Sequence, residues 1–138
     1  MRFQGEEIKR LIPQREPFIM VDEIETSDDT HAVTAITVRS GNYFMLPDGT
    51  MSETGLIEHI AQSCSALMGS LALGQECPPV GLIGEVKRFE CQRRPQSDEK
   101  VCTSIEFALI FGNVTIATGE SRIGKELIAK AQLKIFVQ

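Results

Sequence analysis

Residues 53–73 read ETGLIEHIAQSCSALMGSLAL, and this stretch decides the fold because it is long, apolar and almost free of charge. At about 100° per residue, its large apolar side chains form one wide stripe. The stripe comprises Leu56, Ile57, Ile60, Cys64, Leu67, Met68 and Leu71. The spacing therefore predicts one amphipathic helix near residues 53–73, ended by Gly74 and packed with that stripe against a core.

The opposite face of this helix carries one acid, Glu58, among small or weakly polar residues, which are Gln62, Ser65, Gly69 and Ala72. A surface helix would carry several charged side chains there, so this face is more typical of a site. An acid in an apolar run is costly to bury unless it is paired or used. Glu58 is therefore a candidate site residue, although a buried, purely structural acid is the alternative.

Composition narrows the class of protein. The chain has 138 residues, of which 42% are hydrophobic and 24% charged, as expected for one globular domain spanning residues 1–138. A net charge of −5, with no Trp and one Tyr, argues against nucleic-acid binding. No apolar run approaches the roughly 18 residues of a membrane span, and the N-terminus lacks the apolar core of a signal peptide. We therefore expect a cytoplasmic protein without a membrane segment.

Neither a metal nor a cofactor is expected. The four cysteines (Cys64, Cys77, Cys91 and Cys102) form no CxxC pair and follow no metal-ligand spacing, so we interpret them as reduced, half-buried small residues. His31 follows an acidic turn and is predicted to be a surface residue. His59 lies about 100° around the helix from Glu58. We expect it to be partly exposed or at an interface rather than a substitute base.

Most of the remaining chain is predicted to be strand. A short helix at residues 6–11 precedes strands at 18–24 and 31–38 and a loop at 39–52. Four strands follow the long helix at residues 80–91, 100–111, 114–121 and 127–137, with hairpin turns at Gly112-Asn113 and Gly124-Lys125. This order predicts an α+β hotdog fold, a six-stranded antiparallel sheet wrapped around one long central helix. One helix cannot cover such a sheet, so we expect a dimer whose sheets join edge to edge.

Three segments occur in an order that points to one known family. They are residues 11–24 (LIPQREPFIMVDEI), 55–62 (GLIEHIAQ) and 85–95 (EVKRFECQRRP). They resemble, respectively, the opening Leu-Pro-His-Arg-Tyr-Pro-Phe-Leu-Leu-Val-Asp signature, the active-site helix and the basic strand of bacterial 3-hydroxyacyl-[acyl-carrier-protein] dehydratases. The combination of Asp48-Gly49, Gly81-Leu82 and residues 88–91 (RFEC) most resembles one subgroup, the dehydratase-like hotdog subunits of aryl-polyene pigment pathways.

The resemblance implies a mechanism of general acid–base catalysis. In the family, a His removes the α-proton of a 3-hydroxyacyl thioester, and an acid on the partner protomer's central helix protonates the departing hydroxyl. A backbone N–H at the helix start polarises the thioester carbonyl. Glu58 matches the helix acid and is therefore the candidate catalytic residue. The family His position falls near Phe44, however, so the standard base is missing. The family's Pro-Gly turn reads Ser52-Glu53, so a bulky acid replaces a glycine that allows close backbone approach. Both departures argue against the standard reaction in this chain alone.

The basic residues Lys87, Arg88, Arg93 and Arg94 are candidate contacts for an acyl carrier protein. They would meet its acidic helix or the phosphate of the phosphopantetheine arm that carries the acyl chain. A solvated charge cluster at a strand end is the alternative. An acyl chain would lie along the small face of the helix, so Gln62, Ser65 and Gly69 are the candidate substrate-binding residues. Gly69→Phe should block long acyl ligands while leaving folding largely intact, provided that the groove has room.

Three functions remain open. The first is a dehydratase acting on 3-hydroxyacyl thioesters of acyl carrier protein in fatty-acid or polyketide-type biosynthesis, with a nonstandard base or a His from another subunit. The second is a non-catalytic hotdog subunit that binds acyl carrier protein or completes a heterodimer. The third is a thioesterase in which Glu58 activates water, although no second carboxylate or Asn near the motif favours it. The missing His separates the first function from the second.

Overall fold

An antiparallel sheet of seven strands surrounds one long helix in the computed structural model, which describes residues 1–76 and 80–138. The strands are β1 (Arg2–Gln4), β2 (Glu23–Asp28), β3 (His31–Thr37), β4 (Gly81–Cys91), β5 (Lys100–Phe111), β6 (Val114–Ile123) and β7 (Glu126–Val137), and the helix is α1 (Glu53–Leu71). The order across the sheet is β1-β2-β3-β5-β6-β7-β4. The predicted α+β hotdog architecture is confirmed, with seven strands rather than six.

Local sequence signals explain where the main elements begin and end. Helix α1 begins at Glu53 because the Ser52 hydroxyl accepts a hydrogen bond from the Gly55 N–H at 3.2 Å. It ends at Leu71, two residues before the predicted end. The predicted hairpin turns are confirmed, since Gly112 and Gly124 adopt φ of 60° and 59° between paired strands. No helix within residues 1–76 and 80–138 is both long and apolar enough to cross a bilayer.

The N-terminal region differs from the prediction. The expected strand at residues 18–24 is wrong in its first part, because β2 begins only at Glu23. The backbone of Met20 bonds instead to two side chains of α1, those of Gln62 and His59. The predicted helix at 6–11 is a 3-10 helix, Gly5–Arg10, and the three-residue β1 before it was not predicted. These short pieces depend on tertiary contacts that local patterns do not encode.

The core-facing side of α1 is more polar than the predicted apolar stripe. Leu56, Ile60 and Leu67 are fully buried, as predicted, but Leu71 is 48% exposed. His59 and Ser63 are fully buried beside them. The helix lies so close to the sheet that a Cβ on Gly119 of β6 would overlap Ile60. Polar residues with buried partners therefore share this face with the apolar ones, which a search for hydrophobic periodicity does not detect.

Strand β4 forms one edge of the sheet, and within the described residues it pairs only with β7. It is eleven residues long and almost entirely exposed. Its apolar side chains Leu82, Ile83 and Val86 are 48%, 41% and 38% exposed. A long, apolar and unpaired edge is a pairing surface that proteins rarely leave open.

Candidate active site

Glu58 is half-buried on α1, and the side chain of Gln62 fixes its orientation. The Gln62 amide nitrogen donates to Glu58 Oε1 at 2.8 Å and to the Phe18 carbonyl at 2.7 Å. The Gln62 amide oxygen accepts from the Met20 N–H at 2.6 Å. Gln62 therefore has little freedom to turn, because three hydrogen bonds hold it. Gln62 therefore holds the Glu58 carboxylate in a fixed orientation.

A cavity of about 510 Å³ lies beside Glu58. Its helical wall includes Glu58, Ala61, Gln62, Ser65, Gly69 and Ala72. The segment of residues 9–14 forms another wall, and residues 80–83 at the start of β4 form part of the remainder. The volume suits a small organic ligand. The structure thus brings Glu58 and the three predicted substrate-binding residues to one cavity.

Gly69 is small because another part of the backbone occupies the space of a side chain. A Cβ on Gly69 would overlap the carbonyl group of Leu11, which follows the 3-10 helix. Gly69 therefore lets α1 approach the 9–14 segment closely. The groove therefore has no room at Gly69, and the condition on which Gly69→Phe was expected to leave folding largely intact is not met. Ser65, half-buried one turn earlier on the cavity wall, has a side chain and is the better position for filling the cavity.

His59 is fully buried, so the expectation of a partly exposed or interface histidine is wrong. Its Nδ1 donates to the Met20 carbonyl at 2.7 Å, and its Nε2 accepts from the Thr103 hydroxyl at 2.8 Å. Thr103 in turn hydrogen-bonds Ser121 at 2.7 Å. Burial lowers the pKa of His59 to about 4, which keeps the ring neutral near pH 7. With both ring nitrogens engaged, His59 holds Met20 against α1 and is no substitute base.

The start of α1 carries no histidine. Phe44, at the position expected for the family base, packs against Gly55 so closely that a Cβ there would overlap it. The Phe44 carbonyl accepts from the Ser52 N–H at 2.9 Å, and its ring meets that of Tyr43 edge to face. Phe44 therefore stabilises the helix start. It has no atom that can accept a proton.

Glu53 occupies the helix position where the resemblance implies a glycine. Its side chain is exposed, and its carboxylate lies near the thiol of Cys91. Burial, and then the negative charge of Glu53, raise the pKa of the Cys91 thiol. A carboxylate here brings negative charge to the end of the helix where a thioester oxyanion would need stabilisation.

The predicted basic cluster divides into paired and less engaged residues. Arg93 lies 2.8 Å from Glu99 and 3.1 Å from Glu126, and these carboxylates raise its pKa. The Arg94 guanidinium donates to Asp48 and Thr50, each at 2.9 Å. Both arginines are therefore engaged in ion pairs within the chain.

The other two members of the cluster lie on the exposed edge strand. Lys87 is 3.7 Å from Glu85, a loose pair. No ion pair of Arg88 is found among residues 1–76 and 80–138, and its φ of 52° marks an irregularity in β4. Lys87 and Arg88 are thus the members of the predicted cluster that are best placed to meet an external anion.

The remaining titratable candidates do not form a second site. His31 is exposed, as predicted, and bonds Asp28 at 2.9 Å. The Thr30 N–H and then His31 lower the pKa of Asp28 to about 2. Burial raises the pKa of Cys64 to about 12, whereas Cys77 lies outside the described residues. Within the described residues, no group of three His, Cys, Asp or Glu side chains is placed to hold a metal ion.

Known proteins that are similar in sequence are dehydratases. The 3-hydroxyacyl-[acyl-carrier-protein] dehydratase FabZ of Clostridioides difficile is 24% identical over 135 residues, covering 93% of this chain and 92% of its own. The FabZ of Natranaerobius thermophilus is 26% identical over 131 residues, with 92% of each chain covered. The sequence resemblance therefore extends over nearly the full length of both relatives.

Solved structures show the same fold at lower sequence identity. The dehydratase heterocomplex ApeI:P from Xenorhabdus doucetiae matches with a TM-score of 0.86 at 17% identity, covering 95% of this chain and 90% of that chain. A hypothetical thioesterase from Streptococcus pneumoniae, solved with coenzyme A, matches with a TM-score of 0.68 at 17% identity, covering 83% and 84%. At these identities the structures support the fold alone.

A family model described as ApeP-like, ApeP dehydratase, matches residues 6–138. This match includes the 9–14 segment, the Glu58 helix and the edge strand β4, and so covers the three cavity walls named above. The chain belongs to the ApeP-like dehydratase family.

Proposed function

We propose that this chain is a subunit of a dehydratase for 3-hydroxyacyl thioesters carried by acyl carrier protein. Glu58 is its general acid, and a related hotdog subunit supplies the histidine base. The observation that carries the proposal is the position of Glu58, half-buried beside a cavity and held by Gln62. Phe44, at the position of the family base, cannot accept a proton. The chain therefore offers one half of an acid–base pair.

The chemistry requires both halves. The partner's base takes the α-proton of the thioester, and the resulting electron pair forms the carbon–carbon double bond as the C3–O bond breaks. Glu58 gives its proton to the departing hydroxyl, which leaves as water. Glu58 Oε1 is occupied by Gln62, whereas Oε2 has no hydrogen-bond partner among the described residues. Oε2 is therefore the atom that carries the transferable proton.

The partner subunit docks along β4 in this proposal. The outer edge of β4 offers unpaired backbone groups, and Leu82, Ile83 and Val86 offer apolar surface. Residues 80–83 also border the cavity. A second sheet that pairs with this edge would therefore extend the sheet beyond β4. It would also bring the partner subunit close to the cavity. The opposite edge, β1, has only three residues and is a poorer pairing surface.

The decisive experiment compares the protein alone with the protein mixed with a related hotdog dehydratase subunit that keeps its histidine. Formation of the unsaturated thioester from a 3-hydroxyacyl carrier substrate would be followed, together with release of free acid. We expect turnover near background alone and clear dehydration in the mixture. In the mixture, Glu58→Gln should lower the rate by about 10²–10⁴-fold, as expected for losing a general acid.

A matched control is Glu106→Gln, which removes an exposed carboxylate on β5 near His31. It should leave the rate unchanged. Dehydration by the isolated protein that survives Glu58→Gln would contradict the proposal. Full activity of the mixture with Glu58→Gln would instead identify the chain as a non-catalytic, heterodimer-completing subunit. Release of free acid without dehydration would indicate a thioesterase.

A further inference from the structure

Gln14 holds a buried polar atom without a partner. Its side-chain oxygen, Oε1, is inaccessible to solvent and accepts no hydrogen bond, and no other buried side-chain N or O atom of the described residues lacks a partner. An unsatisfied buried acceptor destabilises the folded state, so such atoms call for an explanation. Elsewhere the fold satisfies its buried polar side chains thoroughly, as the bonds of His59 and Gln62 show.

The position of Gln14 supplies the explanation. Gln14 lies in the wall of the cavity that also contains Glu58. Along the 9–14 wall, Lys9 and Arg10 can only donate hydrogen bonds, and the next three side chains are apolar. Gln14 is therefore the one side chain of this wall that can accept a hydrogen bond. Its terminal torsion is broad, so the carboxamide can turn its oxygen into the cavity when a donor arrives.

We propose that Gln14 is a substrate-positioning residue that accepts a hydrogen bond from an amide N–H in the thiol arm of the acyl thioester. This inference rests on the proposed function, which brings such an arm into the cavity. In that function the substrate hydroxyl is committed to Glu58, on the helical wall. The N–H donor that remains on a pantetheine-type arm is an amide, which a neutral carboxamide oxygen accepts well. The bond fixes the arm relative to Glu58.

The test removes the donor from the ligand and the acceptor from the protein, one at a time. The first ligand is 3-hydroxybutyryl-N-acetylcysteamine thioester. The second is its ester analogue, in which oxygen replaces the amide N–H. Affinities of the chain for each ligand would be measured by NMR titration. The variants are Gln14→Met, which keeps the side-chain length, and Gln132→Met, a half-buried glutamine on β7 outside the cavity.

We expect Gln14→Met to weaken binding of the amide-containing thioester by about three- to tenfold, which is the range of one neutral hydrogen bond. It should leave the affinity for the ester analogue unchanged, and Gln132→Met should change neither. The thermal midpoint of Gln14→Met should not fall, because the lost oxygen had no partner. If Gln14→Met weakens binding of both ligands equally, or changes the binding of neither, the assignment of Gln14 is overturned while the proposed function stands. If the unaltered protein binds neither thioester, the assignment of Gln14 fails, and the mixture with the related subunit is the separate test of the proposed function.

Discussion

The two long sides of α1 both carry polar groups, but the groups differ in how completely they are satisfied. On the side facing the sheet, His59 uses both ring nitrogens, and the Ser63 hydroxyl bonds Thr34 and the His59 carbonyl at 2.7 Å each. On the cavity side, Glu58 keeps one carboxylate oxygen without a partner among the described residues, and Gln14 across the cavity keeps an unbonded amide oxygen.

This difference separates side chains of one helix that stabilise the fold from side chains that can act on a ligand. A buried polar group with every bond made rigidifies the fold and has nothing left for a ligand. A polar group beside a cavity that still lacks a hydrogen-bond partner can bond to a ligand or transfer a proton to it. Substitutions on the sheet side should therefore change the free energy of unfolding, and substitutions on the cavity side should change binding or rate. The predictions below test that division.

The largest expected effect on stability comes from Gly69, which breaks the simple division because it lies on the cavity wall but touches backbone. Gly69→Phe should lower the free energy of unfolding by about 3 kcal/mol or more, since the Leu11 carbonyl cannot yield without moving the 9–14 segment. Ser65→Phe should cost less than about 1 kcal/mol and abolish binding of acyl thioesters. Urea denaturation and ligand titration measure both. Equal stability of the two variants would contradict the packing argument.

The next effect is a dependence of stability on pH. The pKa of His59 is lowered from 6.5 to about 4, so between these values the unfolded chain binds more protons than the folded one. Stability is therefore greatest above pH 6.5 and falls as the pH drops toward 4, by about 3 kcal/mol. The stability that carboxylates with a lowered pKa, such as Asp28, contribute is lost mainly at lower pH than this.

The control for this prediction is a substitution that removes no titratable group. Urea denaturation of His59→Gln between pH 5 and 7 should show a flatter profile than that of the unaltered protein, whereas Gln132→Met on β7 should keep the slope. An unchanged slope in His59→Gln would contradict the lowered pKa of His59.

A smaller loss is expected at Thr103, which joins the sheet to His59. Thr103→Val keeps the shape but leaves His59 Nε2 and the Ser121 hydroxyl without this partner, at a cost of about 1–3 kcal/mol. Ser65→Ala, on the cavity side, should stay within about 0.5 kcal/mol because its hydroxyl has no hydrogen bond among the described residues. Chemical denaturation compares them. A stable Thr103→Val would mean that the buried bonds contribute little.

Sequence patterns predicted the elements with strong local signals and missed those held by distant partners. The start of α1 and the β5–β6–β7 meander followed from capping, periodicity and hairpin turns. The burial of His59 did not, because Met20 and Thr103 lie 39 and 44 residues away in sequence. The same separation explains the error at residues 18–22, whose apolar letters are typical of a strand although side chains of α1 bind the backbone there.

The candidate site was predicted in the same uneven way. Glu58 and Gln62 stood out because a polar pair on a small helical face is unusual, and the structure joins them by a hydrogen bond. Gln14 did not stand out, since only the folded cavity shows that its oxygen lacks a partner. The basic cluster looked uniform in sequence, but its ion pairs with Asp48, Glu99 and Glu126 join it to three separate parts of the chain.

The smallest expected effect concerns carrier recognition by that cluster. If an acyl carrier protein docks beside the cavity, the cations without firm partners should contribute most, because a paired guanidinium must first give up its carboxylates. Arg88→Gln should therefore weaken carrier binding by about two- to fivefold at low salt, with less effect as added salt screens the contact. Arg93→Gln should change carrier binding less and stability more, since it leaves Glu99 and Glu126 unpaired. Titration with acyl carrier protein at two salt concentrations measures this. A stronger loss in Arg93→Gln than in Arg88→Gln would show that the ion pairs of Arg93 with Glu99 and Glu126 open on docking, and that Arg88 is not a carrier contact.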